Sequence, residues 1–120
     1  MKIRTDNLEG KPLRWAVAMA CGRPGTAQML ILLPDTCAYK PDEDWACGGP
    51  IIEREGITLL ARDIDNKQDY WATLERYNGE NTDERTGYDG PTALIAAMRT
   101  FVGEKLGGYI NIPNKLVKTA

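Results

Sequence analysis

The 120-residue chain contains no histidine and no serine. These absences remove the Ser-His-Asp triad, the Cys-His dyad, every histidine-ligated zinc and any serine-based phosphate loop. A basic surplus is missing too: 15 Lys and Arg stand against 17 Asp and Glu, for a formal net charge of −2. Electrostatic capture of nucleic acid is therefore not expected. Cysteine is scarce and odd in number. Cys21, Cys37 and Cys47 form no C-x-x-C pair and no disulfide framework, and they read as three reduced thiols. Only Cys47 has a hint of reactivity, from glycines that place it near a helix N-terminus. Long apolar runs are absent. Met29 to Leu33 is the longest, a strand's length and far short of a bilayer span. The opening Met1–Asp6 has no apolar segment behind it, so no signal peptide is expected there. An intracellular protein with no membrane partner, no metal and no cofactor is expected.

What remains is one domain's worth of chain, 1–120, with a basic tail at 114–120 expected to fray. Lys11 to Cys21 has helical spacing, with Pro12 in its first turn and Gly22 placed to end it. Met29–Leu33 reads as a buried strand closed by Pro34. From Pro34 to Gly49 the pattern lapses, and a connection of that length is more often functional than the average loop. Pro50 to Gly56 reads as a short helical turn opened by Gly48-Gly49-Pro50. Ile57–Ala61 and Tyr70–Arg76 form a hairpin across a polar turn. Asn78–Tyr88 reads as a second polar loop. Asp89-Gly90-Pro91 then opens the strongest helix, with Leu94, Ile95, Met98, Phe101 and Val102 on its apolar face and Arg99 towards its polar side. Tyr109–Pro113 is a short last strand. The order predicts an α+β fold of two layers: a small antiparallel sheet packed against two main helices plus one short helix.

Several blocks together resemble a known family. Pro12-Leu13-x-Trp15-Ala16-Val17-Ala18, the run Asp44 to Glu55, Tyr70-Trp71-Ala72-Thr73, Gly90 to Arg99 and the ending Leu106 to Pro113 resemble the NinX-like phage family. The likeness covers nearly the whole chain. It implies phage origin, an accessory role and a place in the host cytoplasm, not a reaction. At Cys47 the family pattern has a polar residue, which speaks against a functional thiol.

Candidate binding residues come from the paired Gly-Pro motifs. Gly48-Gly49-Pro50 and Asp89-Gly90-Pro91 each read as a helix start with uncovered N–H groups suited to an anion. Trp45 upstream of the first, and Arg54 one turn into its helix, add an aromatic face and a guanidinium. Trp71 reads first as a core aromatic and second as a stacking platform, with Tyr70 on the opposite face of the strand. Gly90 and Arg99 belong to the second motif. The carboxylate pairs Glu53/Glu55 and Asp63/Asp65 do not form an acid–base set. No catalytic set is found, and no enzyme is expected.

The leading expectation is a non-enzymatic protein that binds and sequesters a small nucleotide-derived signal through Trp45, Gly48, Gly49, Arg54, Trp71, Gly90 and Arg99. The alternative is a protein–protein inhibitor of a host enzyme, acting through Tyr39, Asp42, Glu43, Asp44 and Trp45. Binding of duplex RNA is a distant third, motivated by element order alone. A homodimer or higher closed oligomer is expected, because so short a chain has little room for a deep pocket. Its interface is expected near 34–50 or 78–88, with Trp45, Arg54 and Arg99 lining a shared site.

Overall fold

A computed structural model describes residues 1–33, 36–77 and 83–117. The chain begins with strand β1 (Lys2–Arg4) and three helices, α1 (Gly10–Ala20), α2 (Pro24–Leu32) and α3 (Trp45–Glu55). Strands β2 (Thr58–Ile64), β3 (Lys67–Tyr77) and β4 (Asp83–Gly90) follow, then α4 (Ala93–Leu106) and β5 (Tyr109–Asn111). β2, β3 and β4 make an antiparallel meander, and β1 pairs with β5 in a separate two-stranded sheet. The α+β class is as expected, with four α-helices among the described residues, one more than predicted.

α1 follows its sequence signals. Leu13, Ala16 and Val17 are fully buried, and Gly22 takes the left-handed conformation (φ 71°) that ends the helix. The predicted strand at 29–33 is instead the second half of α2. A short run of apolar residues carries no period that separates strand from helix. Pro24 at the first helical position decides it, and the helix buries Ala27 and Leu30.

α3 needs a second correction. It begins at Trp45, five residues before the predicted start at Pro50. The Asp44 carboxylate accepts the Ala46 N–H at 2.9 Å and caps it, so Gly48 and Gly49 lie inside the helix. Pro50 also sits inside, leaving the Ala46 carbonyl without its helical donor. The predicted stop at Gly56 is correct (φ 70°).

The hairpin is present and longer than predicted. Asp65 and Asn66 both have positive φ (53° and 64°), the two-residue turn whose twist suits antiparallel strands. Of the predicted polar loop, residues 78–82 lie outside the described residues, while Asp83 to Gly90 is β4. Its register runs from Tyr77↔Asp83 to Tyr70↔Gly90. β-Propensity in Asp83–Gly90 is low. The strand is held by fit, since the Trp71 ring lies where a Cβ on Gly87 would stand.

α4 is capped by Thr92, whose hydroxyl accepts the Ile95 N–H at 3.1 Å, so it starts slightly later than Gly90-Pro91 predicts. Leu94, Met98, Phe101 and Val102 are buried as expected, but so are Ala96, Ala97, Arg99 and Thr100. The helix lies on one face of the β2-β3-β4 sheet and is backed by α1 and α3. It is therefore enclosed beyond the width of its apolar stripe.

Strand β1 is the element the sequence concealed. Ile3 pairs with Ile110 and Lys2 with Asn111, and the Met1 amino group donates to the Ile112 carbonyl at 2.8 Å. The described part of the tail does not fray: Leu116 is buried in the main core. Residues 118–120 lie outside the described residues. No helix among the described residues is long and apolar enough to cross a membrane.

Candidate functional site

The N-terminal ends of α1, α3 and α4 converge on one open cleft of about 1180 Å³. α1 contributes Glu9 to Pro12, α4 contributes Pro91 to Ile95, and α3 contributes Trp45. Gln68 and Tyr70 of β3 form a further wall, closed by Ile3 and by the segment from Lys115 to Val117. Each helix end adds partial positive charge. Asp44 caps α3 and Thr92 caps α4, whereas Glu9 makes no side-chain cap bond at α1.

Ionic groups of both signs face this space: Lys11, Arg14 and Lys115 against Glu9, Asp42 and Glu43. Arg14 Nε donates to Asp42 Oδ1 at 2.6 Å, and its Nη2 donates to Glu43 Oε1 at 2.9 Å. Burial alone would lower the pKa of this guanidinium. The hydrogen bond and charge of Asp42, with Glu43 behind it, outweigh that and raise it. Trp45 stands at the cleft edge with 54% of its surface exposed. The arrangement offers an aromatic face, backbone N–H groups at helix ends and a fixed charge network. Such features hold and orient a ligand.

The predicted site residues do not assemble as the sequence reading had them. Of the seven, only Trp45 lines the cleft. Trp45 and Arg54 sit at opposite ends of an 11-residue helix, about 13.5 Å apart along its axis. Arg54 donates to Glu55 at 3.1 Å, lies over the Phe101 ring, and has Nη2 3.9 Å from Cys21 Sγ. The Glu55 hydrogen bond, then Cys21, raises its pKa.

Gly48 is buried beneath Pro41 and Leu94, and Gly49 faces the Trp45 ring. Gly90 closes β4 against the α4 backbone, where an added Cβ would stand 2.7 Å from Ala96 N. Trp71 is neither core nor cleft. It lies partly exposed beside Gly87, with the Arg62 guanidinium 5.1 Å from its ring centre. Arg99 is buried, not on a polar face. Its Nε donates to the Leu8 carbonyl at 2.8 Å and its Nη1 to the Asp89 carbonyl at 2.9 Å. Burial lowers its pKa, with Asp89 and Glu9 opposing.

The acidic–aromatic loop is also partly turned inward. Asp42 is buried against Arg14, and the half-buried Tyr39 has its hydroxyl 3.8 Å from Cys21 Sγ. Glu43, Asp44 and Trp45 remain outward. Cys47 sits in the first turn of α3 with its thiol 3.7 Å from the Asp44 carboxylate. Sequence reasoning missed Arg14, Lys11, Tyr70 and Lys115. Lys11-Pro12 was legible as a helix start, but nothing local announced that three such starts meet.

Burial, and then Cys21, hold the Tyr39 hydroxyl well above the usual tyrosine range. Its neutral form is the one the fold accommodates. Below about pH 10 both folded and unfolded tyrosine are protonated; above it the unfolded chain ionises first. Stability should therefore fall as pH rises above about 10, and Tyr39→Phe should make that fall shallower in urea unfolding. An identical decline in the variant would show that the hydroxyl is not shielded.

A family model described as NinX of bacteriophage P22 matches residues 4–105, from the end of β1 into the last turn of α4. The match includes all three helix ends at the cleft. Among curated proteins, the search finds no match.

Proposed function

We propose a ligand-holding role for this chain, which belongs to the NinX family of bacteriophage proteins. It acts as a non-enzymatic phage accessory protein in the host cytoplasm, binding a small nucleotide-derived molecule and sequestering it from host defence. The observation that carries this reading is the open cleft at three helix N-termini, with Trp45 exposed at its edge. Helix ends favour phosphate oxygens, and an exposed indole favours a base. The buried Arg14–Asp42 pair supports holding over turnover, because Asp42 is committed to a guanidinium and not poised as a base.

Calorimetric titration against cyclic di- and trinucleotides and ADP-ribose tests it. The expected result is one site per chain with a dissociation constant below ~100 μM, accompanied by a change in tryptophan fluorescence. Trp45→Ala should weaken binding about tenfold or more, the usual worth of a stacked base. Arg54→Ala, at the far end of α3, should leave it unchanged. No heat with any member of the panel would remove the nucleotide reading.

A further inference from the structure

α2 is uncharged from Pro24 to Leu32, yet of its nine residues only Ala27 and Leu30 are buried. Met29 is 44% exposed, Leu32 59%, and Leu33, just past the helix, 49%. Met19, near the end of α1, is exposed too. Thr26 and Gln28 are the polar side chains of α2, and Gln28 is exposed beside Met29, yet most of the face turned to solvent is apolar. Exposed apolar side chains gathered along one short helix are often functional.

The spacing along α2 indicates what covers this face. Gly25, Met29 and Leu32 recur four and then three residues apart, so they form one outward stripe. The stripe grows from a small residue at the N-terminal end to a large one at the C-terminal end. Space beside Gly25 is open: a Cβ there would meet nothing within 4 Å. A second α2, laid antiparallel about a two-fold axis between Gln28 and Met29, sets each Leu32 against the other copy's Gly25. Large side chain then fills small gap at both ends, as ridges fill grooves between packed helices. A parallel pair would stack glycine on glycine and leucine on leucine.

Charge points the same way. The helix has no ionic group to repel its own copy. Arg23, exposed just before the helix, comes to the carbonyl end of the partner helix, where the dipole favours a cation. We infer that the exposed face of α2 is a homodimer interface, packed antiparallel against α2 of a second copy. The face lies before the 34–50 segment and away from the cleft, so the cleft is not shared. Its area per copy is well under the ~800 Å² of a standard interface, which makes the dimer weak.

Sedimentation equilibrium of the full chain across about 1–200 μM tests the proposal. The mass should rise from 13.3 kDa towards twice that value. Leu32→Glu and Gly25→Lys should each hold it at 13.3 kDa throughout. Circular dichroism should show the helices retained in both variants, because both positions are exposed. Combining the two substitutions in one chain should restore the dimer, since antiparallel packing brings the introduced lysine to the introduced glutamate of the other copy. A wild-type mass of 13.3 kDa at the highest concentration would overturn the inference. So would a dimer indifferent to Leu32→Glu, or a double variant that stays monomeric.

Discussion

Asp42→Ala should lower the stability of the fold by about 3 kcal/mol, at the lower end for breaking a buried ion pair. The side chains of Arg14 and Asp42 are only 10% and 3% exposed, so removing the carboxylate strands a guanidinium inside the protein. Glu43 remains as a second partner, but it is largely exposed and restores little. For a chain of this length the loss corresponds to roughly 10–15 °C in melting temperature. Glu43→Ala should cost less than about 1 kcal/mol. Replacing both buried partners together, Arg14→Met with Asp42→Leu, should cost far less than Asp42→Ala alone. A thermal melt of the three variants separates these outcomes. A loss near 1 kcal/mol for Asp42→Ala would mean that water reaches Arg14. Asp42 ties the segment before α3 to α1, three residues from Trp45. The same variant should therefore also disturb the cleft.

Gly48→Ala should cost about 2–3 kcal/mol by overpacking, while its neighbour Gly49→Ala should be neutral or stabilising. A Cβ on Gly48 would collide with the Pro41 carbonyl oxygen and stand 2.7 Å from Leu94 Cδ2. The first obstacle is backbone, which cannot rotate away. On Gly49 the nearest neighbour is a Trp45 ring carbon at 4.0 Å, ordinary contact. Alanine there gains helix propensity, worth about 0.5–1 kcal/mol. Melting curves should thus move in opposite directions for adjacent glycines. Equal shifts would contradict the assigned packing. Had the two glycines formed an anion nest at a helix start, both variants would instead have acted on binding.

That contrast also marks how the Gly48-Gly49-Pro50 motif misleads. Two glycines before a proline look like a helix entrance, and locally nothing distinguishes an entrance from an interior that must touch a neighbouring backbone. The true cap, Asp44, lay in plain view among three acids. Its sequence neighbours disguised it as a charged loop. β4 was missed for a related reason: Asp83–Gly90 has little strand propensity, and its pairing is completed by Trp71 across the sheet at Gly87.

The sequence by itself determined the α+β class, helix α1 with its Gly22 stop, the β2–β3 hairpin and the buried stripe of α4. Each of these rests on a signal that acts within one or two turns of chain: a period, a cap, a positive φ. Only the tertiary structure decided that Arg14 would find Asp42, that Arg99 would be buried against the Leu8 and Asp89 carbonyls, and that three helix ends would meet at one cleft. Those contacts join residues 10 to 91 positions apart. Their partners are chosen by burial and by the need to satisfy every buried polar group, conditions that exist only once the chain has closed on itself.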